Sequence, residues 1–128
     1  MTYHHTKLVP YSFSQALEKV KAALSNAGFG VISEIDLKEK FREKLNMDFR
    51  EYRILGACNP KMALQAIELE DKIGVLLPCN ILVQEHEDGK VEVTAVNPME
   101  TMAAVDNPNL ESIATDISQK LQNVIENL

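Results

Sequence analysis

The stretch that decides the fold is Ile81-Leu-Val-Gln-Glu-His-Glu-Asp-Gly-Lys-Val-Glu-Val-Thr-Ala-Val96. Two alternating runs, Ile81–His86 and Lys90–Val96, flank Asp88-Gly89, a pair suited to the left-handed backbone of a hairpin turn. A two-residue loop would set Glu85 against Glu92, and directly opposed like charges destabilise a sheet. A three-residue loop, Glu87-Asp88-Gly89, pairs Val83 with Val93 and Ile81 with Ala95 on one face. On the other face it sets Gln84 beside Glu92 and His86 beside Lys90. It also places Gly89 at the bulge position of this loop class. The spacing predicts the three-residue loop and an antiparallel pair with sorted faces.

Outward from the hairpin, helical and extended segments interleave. Thr2–Val9 puts Tyr3, His5, Lys7 and Val9 on one side of a strand that Pro10 ends. Ser12-Phe-Ser-Gln15 is a capping box. Behind it Phe13, Ala16, Leu17, Val20, Leu24 and Ala27 form one helical stripe, predicting a helix over Phe13–Ala27 with Gly28 as its stop. Phe29–Ile35 reads as a strand. Asp36 caps a short helix, Leu37–Leu45, with Leu37, Phe41 and Leu45 on one face. Tyr52–Ala57 is a further strand. Asn59-Pro60 then starts a helix to Leu69, because proline at the first helical position has no donor to lose. Asp71–Gly74 turns the chain. Ile73–Leu77 is an apolar run ambiguous between strand and buried connector, and Pro78 forbids a central strand through it. Pro98–Val105, with Met99 and Met102, reads as a short helix or irregular cover. Asn107-Pro108 or Asn109 opens the last helix, whose Leu110, Ile113, Ile117, Leu121, Val124 and Leu128 fall in an arc of roughly 80° at ~100° per residue. The pattern predicts an α+β two-layer sandwich: a mainly antiparallel sheet packed against helices, including a long C-terminal amphipathic helix.

Composition narrows the function classes. The chain has 128 residues, 45% hydrophobic and 25% charged, with a net charge of −6. One domain over residues 1–128 is expected at this length. The acidic balance argues against a nucleic-acid partner. No apolar run approaches the ~20 residues of a membrane span, and the start, MTYHHTKLV, lacks the apolar core of a signal peptide. A cytoplasmic protein without a membrane partner is therefore expected. Phosphate loops, nucleophile elbows and zinc-protease motifs are missing, and no cofactor is implied.

Residues Tyr52–Gln84 read YRILGACNPKMALQAIELEDKIGVLLPCNILVQ. The joint pattern Gly-x-Cys-Asn-Pro-x-x-Ala and Ile-Gly-x-Leu-Leu-Pro-Cys-Asn resembles the family known as domain of unknown function 302. The Ser-Phe-x-x-Ala helix, the Gly-Phe-Gly-Val strand and the Asp-Gly hairpin ending in Asn-Pro-Met match it too. The matching positions are Gly56, Cys58, Asn59, Pro60, Gly74, Pro78, Cys79 and Asn80. The resemblance implies a small α+β domain of a kind that often pairs as a homodimer. It implies no catalytic residue, because the family has none assigned.

Three readings of the motif compete. In the first, Cys58 and Cys79 pack as small hydrophobes, Asn59 caps a helix, Asn80 holds a turn and Pro78 shapes the chain. In the second, Cys58 is a reactive thiol, activated by the helix start that follows it. In the third, His4 or His5 joins His86 and a carboxylate to hold a surface ion, although adjacent His4 and His5 point to opposite faces of a strand. The two cysteines lack the paired spacing of a structural zinc site, so no resident metal is expected. Met47, Met62, Met99 and Met102 are candidates for a pliable surface, and more simply for core. The residues favour a non-catalytic homodimeric module that binds a small ligand or protein partner, with Cys58, Asn59, Cys79 and Asn80 as its candidate site. The alternative is a thiol-dependent enzyme or redox sensor using Cys58 and Cys79.

Overall fold

The computed structural model describes residues 2–128. Five strands form one sheet in the order β1-β5-β4-β3-β2, every neighbouring pair antiparallel. They are β1 (His4–Val9), β2 (Gly30–Asp36), β3 (Tyr52–Cys58), β4 (Cys79–Glu85) and β5 (Val91–Val96). The helices are α1 (Phe13–Asn26), α2 (Leu37–Leu45), α3 (Pro60–Leu69), α4 (Pro98–Thr101) and α5 (Glu111–Glu126). This is the α+β architecture with a long C-terminal helix that the pattern predicts.

The hairpin takes the three-residue register. Val83 faces Val93, Ile81 faces Ala95, and Glu85 meets Val91 rather than Glu92. His86 N–H donates to the Lys90 carbonyl at 2.8 Å, Asp88 Oδ1 accepts from Lys90 N–H at 3.0 Å, and Gly89 sits at φ +85°. Strand alternation then sends Leu55, Ala57, Cys79, Ile81, Val83, Val91, Val93 and Ala95 to one face, where all are buried. α1 and α5 cover that face. α1 contributes Phe13, Ala16, Leu17, Val20 and Leu24, and α5 contributes Ile117, Leu121, Val124 and Ile125. The Ser12–Gln15 capping box closes the start of α1. Lys7, from β1, donates to the carbonyls of Glu126 and Leu128 at the end of α5. There a cation meets the negative end of the helix dipole.

Three segments depart from the simplest reading of their sequence. α2 forms over the predicted residues, but its apolar stripe is not a core stripe: none of its residues is buried and Leu45 is 64% exposed. An aromatic chain ties this region together instead, with Phe41 edge-on to Phe49 at 5.0 Å and Phe49 against Tyr52 at 6.1 Å. The ambiguous run before Pro78 is a 3-10 helix, Asp71–Leu76, in which Ile73 is buried and Val75 is 86% exposed. The Leu77–Pro78 peptide is cis, and β4 starts directly after it, two residues before the predicted Ile81. Ile73 joins Ala66, Met102, Leu110 and Ala114 in a second apolar cluster beside the main core.

Candidate functional site

The motif residues gather where β3 runs into α3 and β4 begins. Asn59 is the N-cap of α3: its side-chain oxygen accepts the Met62 N–H at 3.2 Å, with Pro60 in the first helical turn. The chain's two other Asn-Pro pairs work the same way. Asn97 caps α4 through Met99 N–H, and Asn107 caps the 3-10 turn before α5 through Asn109 N–H. An Asn side chain supplies the missing acceptor, and proline removes a donor that would otherwise lack a partner.

Gly56 sits on β3 beneath Pro78. A methyl group at Gly56 would lie 2.7 Å from Pro78 Cγ and would strike Ser33 Oγ. The close approach of the proline ring therefore requires glycine there. Gly28 follows α1 at φ +89°, a left-handed conformation that favours glycine, and a methyl group there would only touch the Asn59 amide at 3.4 Å. Gly74 has open space around its Cα, so nothing steric demands glycine there.

Cys58 and Cys79 are free thiols in unlike surroundings. Cys79 opposes Ala57 on the inner face and is 5% exposed. Burial, and secondarily the nearby Cys58, push its thiol from 9.0 up to about 11, so it stays protonated at neutral pH. Cys58 is half-buried at the end of β3, opposite Gly30. Both border a chamber of about 20 Å³ with a nearly wholly apolar lining that includes Phe29, Met102 and Ile117. A single water needs roughly 10–15 Å³, so the chamber has no room for a substrate. Asn80 is exposed on the opposite face, beside Gly56.

The histidines do not converge. His4 and His5 begin β1 with side chains on opposite faces, and His86 follows β4 at the other end of the sheet. His4 meets Thr6 at 2.7 Å, His5 meets Ser118 at 3.3 Å, and His86 lies 3.5 Å from Glu92. Among the described residues no three His, Cys, Asp or Glu side chains group as metal ligands. No described helix is long and apolar enough to cross a membrane.

The family model for Domain of unknown function DUF302 matches residues 5–128. The chain belongs to the DUF302 family. A crystal structure described as an uncharacterized conserved protein DUF302 from Bacillus stearothermophilus superposes with a TM-score of 0.92. It is 28% identical, and the match covers 98% of each chain. No curated protein matches. The DUF302 motif thus coincides with a structural corner: Gly56 admits Pro78, Asn59 starts α3, and Cys79 fills the core.

Two features of this DUF302 chain are not foreseen from its sequence. One is a polar strut at the middle of α5. Buried Ser118 donates to Asn97 Oδ1 at 2.8 Å, and Asn97 Nδ2 donates to the Thr2 carbonyl at 3.2 Å. The other is a cleft of about 430 Å³ between the Pro98–Val105 segment and the start of α5. Its wall includes Met99, Met102, Val105, Leu110 and Ala114, with Asp106 and Glu111 also on its lining. The methionines are its one signal in the sequence. Asp106 and Glu111 carry none, because only the fold-back of Pro98–Val105 makes a cleft beside them.

Proposed function

We propose that this DUF302 protein is a non-catalytic binding module that works as a homodimer. The observation that carries the first half is the use of the motif side chains. Asn59 is committed to capping α3, and Cys79 is buried, with its thiol held protonated and no space beside it for a substrate. A nucleophilic cysteine needs a thiolate and an adjacent base. The proximity of Cys58 to Cys79 is the observation that favours a redox sensor, and one experiment separates the readings. Iodoacetamide at neutral pH is expected to leave Cys79 unmodified in the native protein and to modify both cysteines in denaturant. Rapid native alkylation of Cys79, or a disulfide between the two under mild oxidant, would overturn the non-catalytic reading. Free thiols fit the reducing cytoplasm, the compartment proposed for this chain.

The second half rests on the sheet face opposite α1 and α5. Its rows run Thr6–Thr94–Leu82–Ile54–Ile35 and Leu8–Glu92–Gln84–Tyr52. Leu8 is 54% and Ile35 42% exposed, and Glu92 is the one acidic residue in these rows. Two copies that each carry −6 repel. Arg50 lies over the second row, donating to Gln84 at 3.1 Å, and the apolar strip Leu82–Ile54–Ile35 is where two copies approach at least electrostatic cost.

A further inference from the structure

We propose that the cleft beside α5 binds a small amphipathic cation, with its apolar chain against Met99, Met102 and Leu110 and its positive head at Asp106 and Glu111. This names the ligand class of the binding module and rests on that reading. At about 430 Å³ the cleft falls within the size range of small-molecule sites, which run from about 300 to 1,000 Å³. Its floor is preformed: Met102, Leu110 and Ala114 belong to a buried cluster. Its outer wall is adaptable, because Met99 is 39% exposed and an unbranched thioether side chain moulds to irregular partners.

The charge at the cleft sets the sign of the ligand. Asp106 and Glu111 are the charged residues on the lining, which holds no Lys, Arg or His. Asn107, between them in the chain, is already engaged: its amide donates to the Leu69 carbonyl and its oxygen accepts from Asn109 N–H. The cleft therefore offers an apolar body and a rim whose charged groups are both carboxylates. An ammonium group is attracted to that rim, while a carboxylate head would be repelled. The cleft lies on the helical side of the molecule, away from the proposed dimer face, so the two surfaces are tested separately.

The test uses the full chain with carbon-13 methionine methyl groups, titrated with octylammonium, octanoate and octanol. Octylammonium is expected to shift the Met99 and Met102 methyl signals and leave that of Met47 in place. Octanoate should bind at least tenfold more weakly. The Asp106→Asn/Glu111→Gln double variant changes two exposed side chains; its unmoved Met62 signal reports an intact fold, and it should bind octylammonium at least tenfold more weakly. Equal binding of the three probes, unchanged binding by the variant, or no shift at Met99 and Met102 would overturn the cleft. Octylammonium binding that shifts only other signals would overturn this site while leaving the binding-module reading standing. The alkylation result and the oligomeric mass test that reading independently.

Discussion

At the scale of single residues, the motif positions predict graded costs. Gly56→Ala drives a methyl group into the rigid Pro78 ring, and overpacking of this kind costs about 1–3 kcal/mol. Gly74→Ala meets open space and is expected to be neutral or stabilising by about 0.4–1 kcal/mol, since the unfolded chain loses freedom. Urea denaturation of the two variants checks the contrast. Asn59→Ala removes the acceptor for Met62 N–H and should cost about 0.5–2 kcal/mol by the same measurement. Cys79 predicts a pH dependence. Its folded pKa lies above the unfolded one, so its contribution is complete below about pH 9 and is lost as pH rises toward about 11. A thiol raised from 9.0 to about 11 on folding contributes roughly 3 kcal/mol at neutral pH relative to strongly alkaline solution. Urea midpoints from pH 7 to 11 should fall in the native chain, and should fall less in Cys79→Ala. The sequence located these residues without ranking them. That Cys79 is the buried thiol and Cys58 the half-buried one depends on β3 running one residue past Ala57 and on β4 starting at Cys79. Both boundaries are set by Pro78 and Asn59 together.

At the scale of elements, local chemistry was legible wherever a side chain answers to its own segment. The hairpin register followed from period-two alternation and one charge clash. The capping box of α1 and the Asn-Pro starts are likewise contained within a few residues. Gly89 tests the hairpin. At φ +85° any L side chain is strained although space is open, so Gly89→Ala should cost about 1 kcal/mol with the sheet otherwise intact by amide exchange. What was not legible depends on distant partners. The period of α2 predicted a helix, but Leu45 has nothing to pack on, and the contact that matters runs from Phe41 through Phe49 to Tyr52. The run Ile73–Leu77 is apolar throughout, so periodicity could not separate a strand from the 3-10 turn that buries Ile73. Ser118 lies just outside the predicted apolar arc of α5, and only the passage of β1 and of the end of β5 beside that helix supplies its His5 and Asn97 partners.

At the scale of the whole molecule, one sheet face is covered by α1 and α5 and the other presents Leu8, Ile35, Ile54 and Leu82. In the proposed homodimer a second copy covers this face, while the helical side carries the cleft proposed to bind a ligand. In that proposal the net charge, −6 in 128 residues, favours pairing through the face with the fewest carboxylates. The light-scattering mass of the native chain across a concentration series decides the matter, with Leu82→Glu as the control for the face. A homodimer paired through this face gives twice 14.3 kDa for the native chain and 14.3 kDa for a folded Leu82→Glu variant. A native mass of 14.3 kDa at every concentration, or a dimer unaffected by a charge at Leu82, would contradict it.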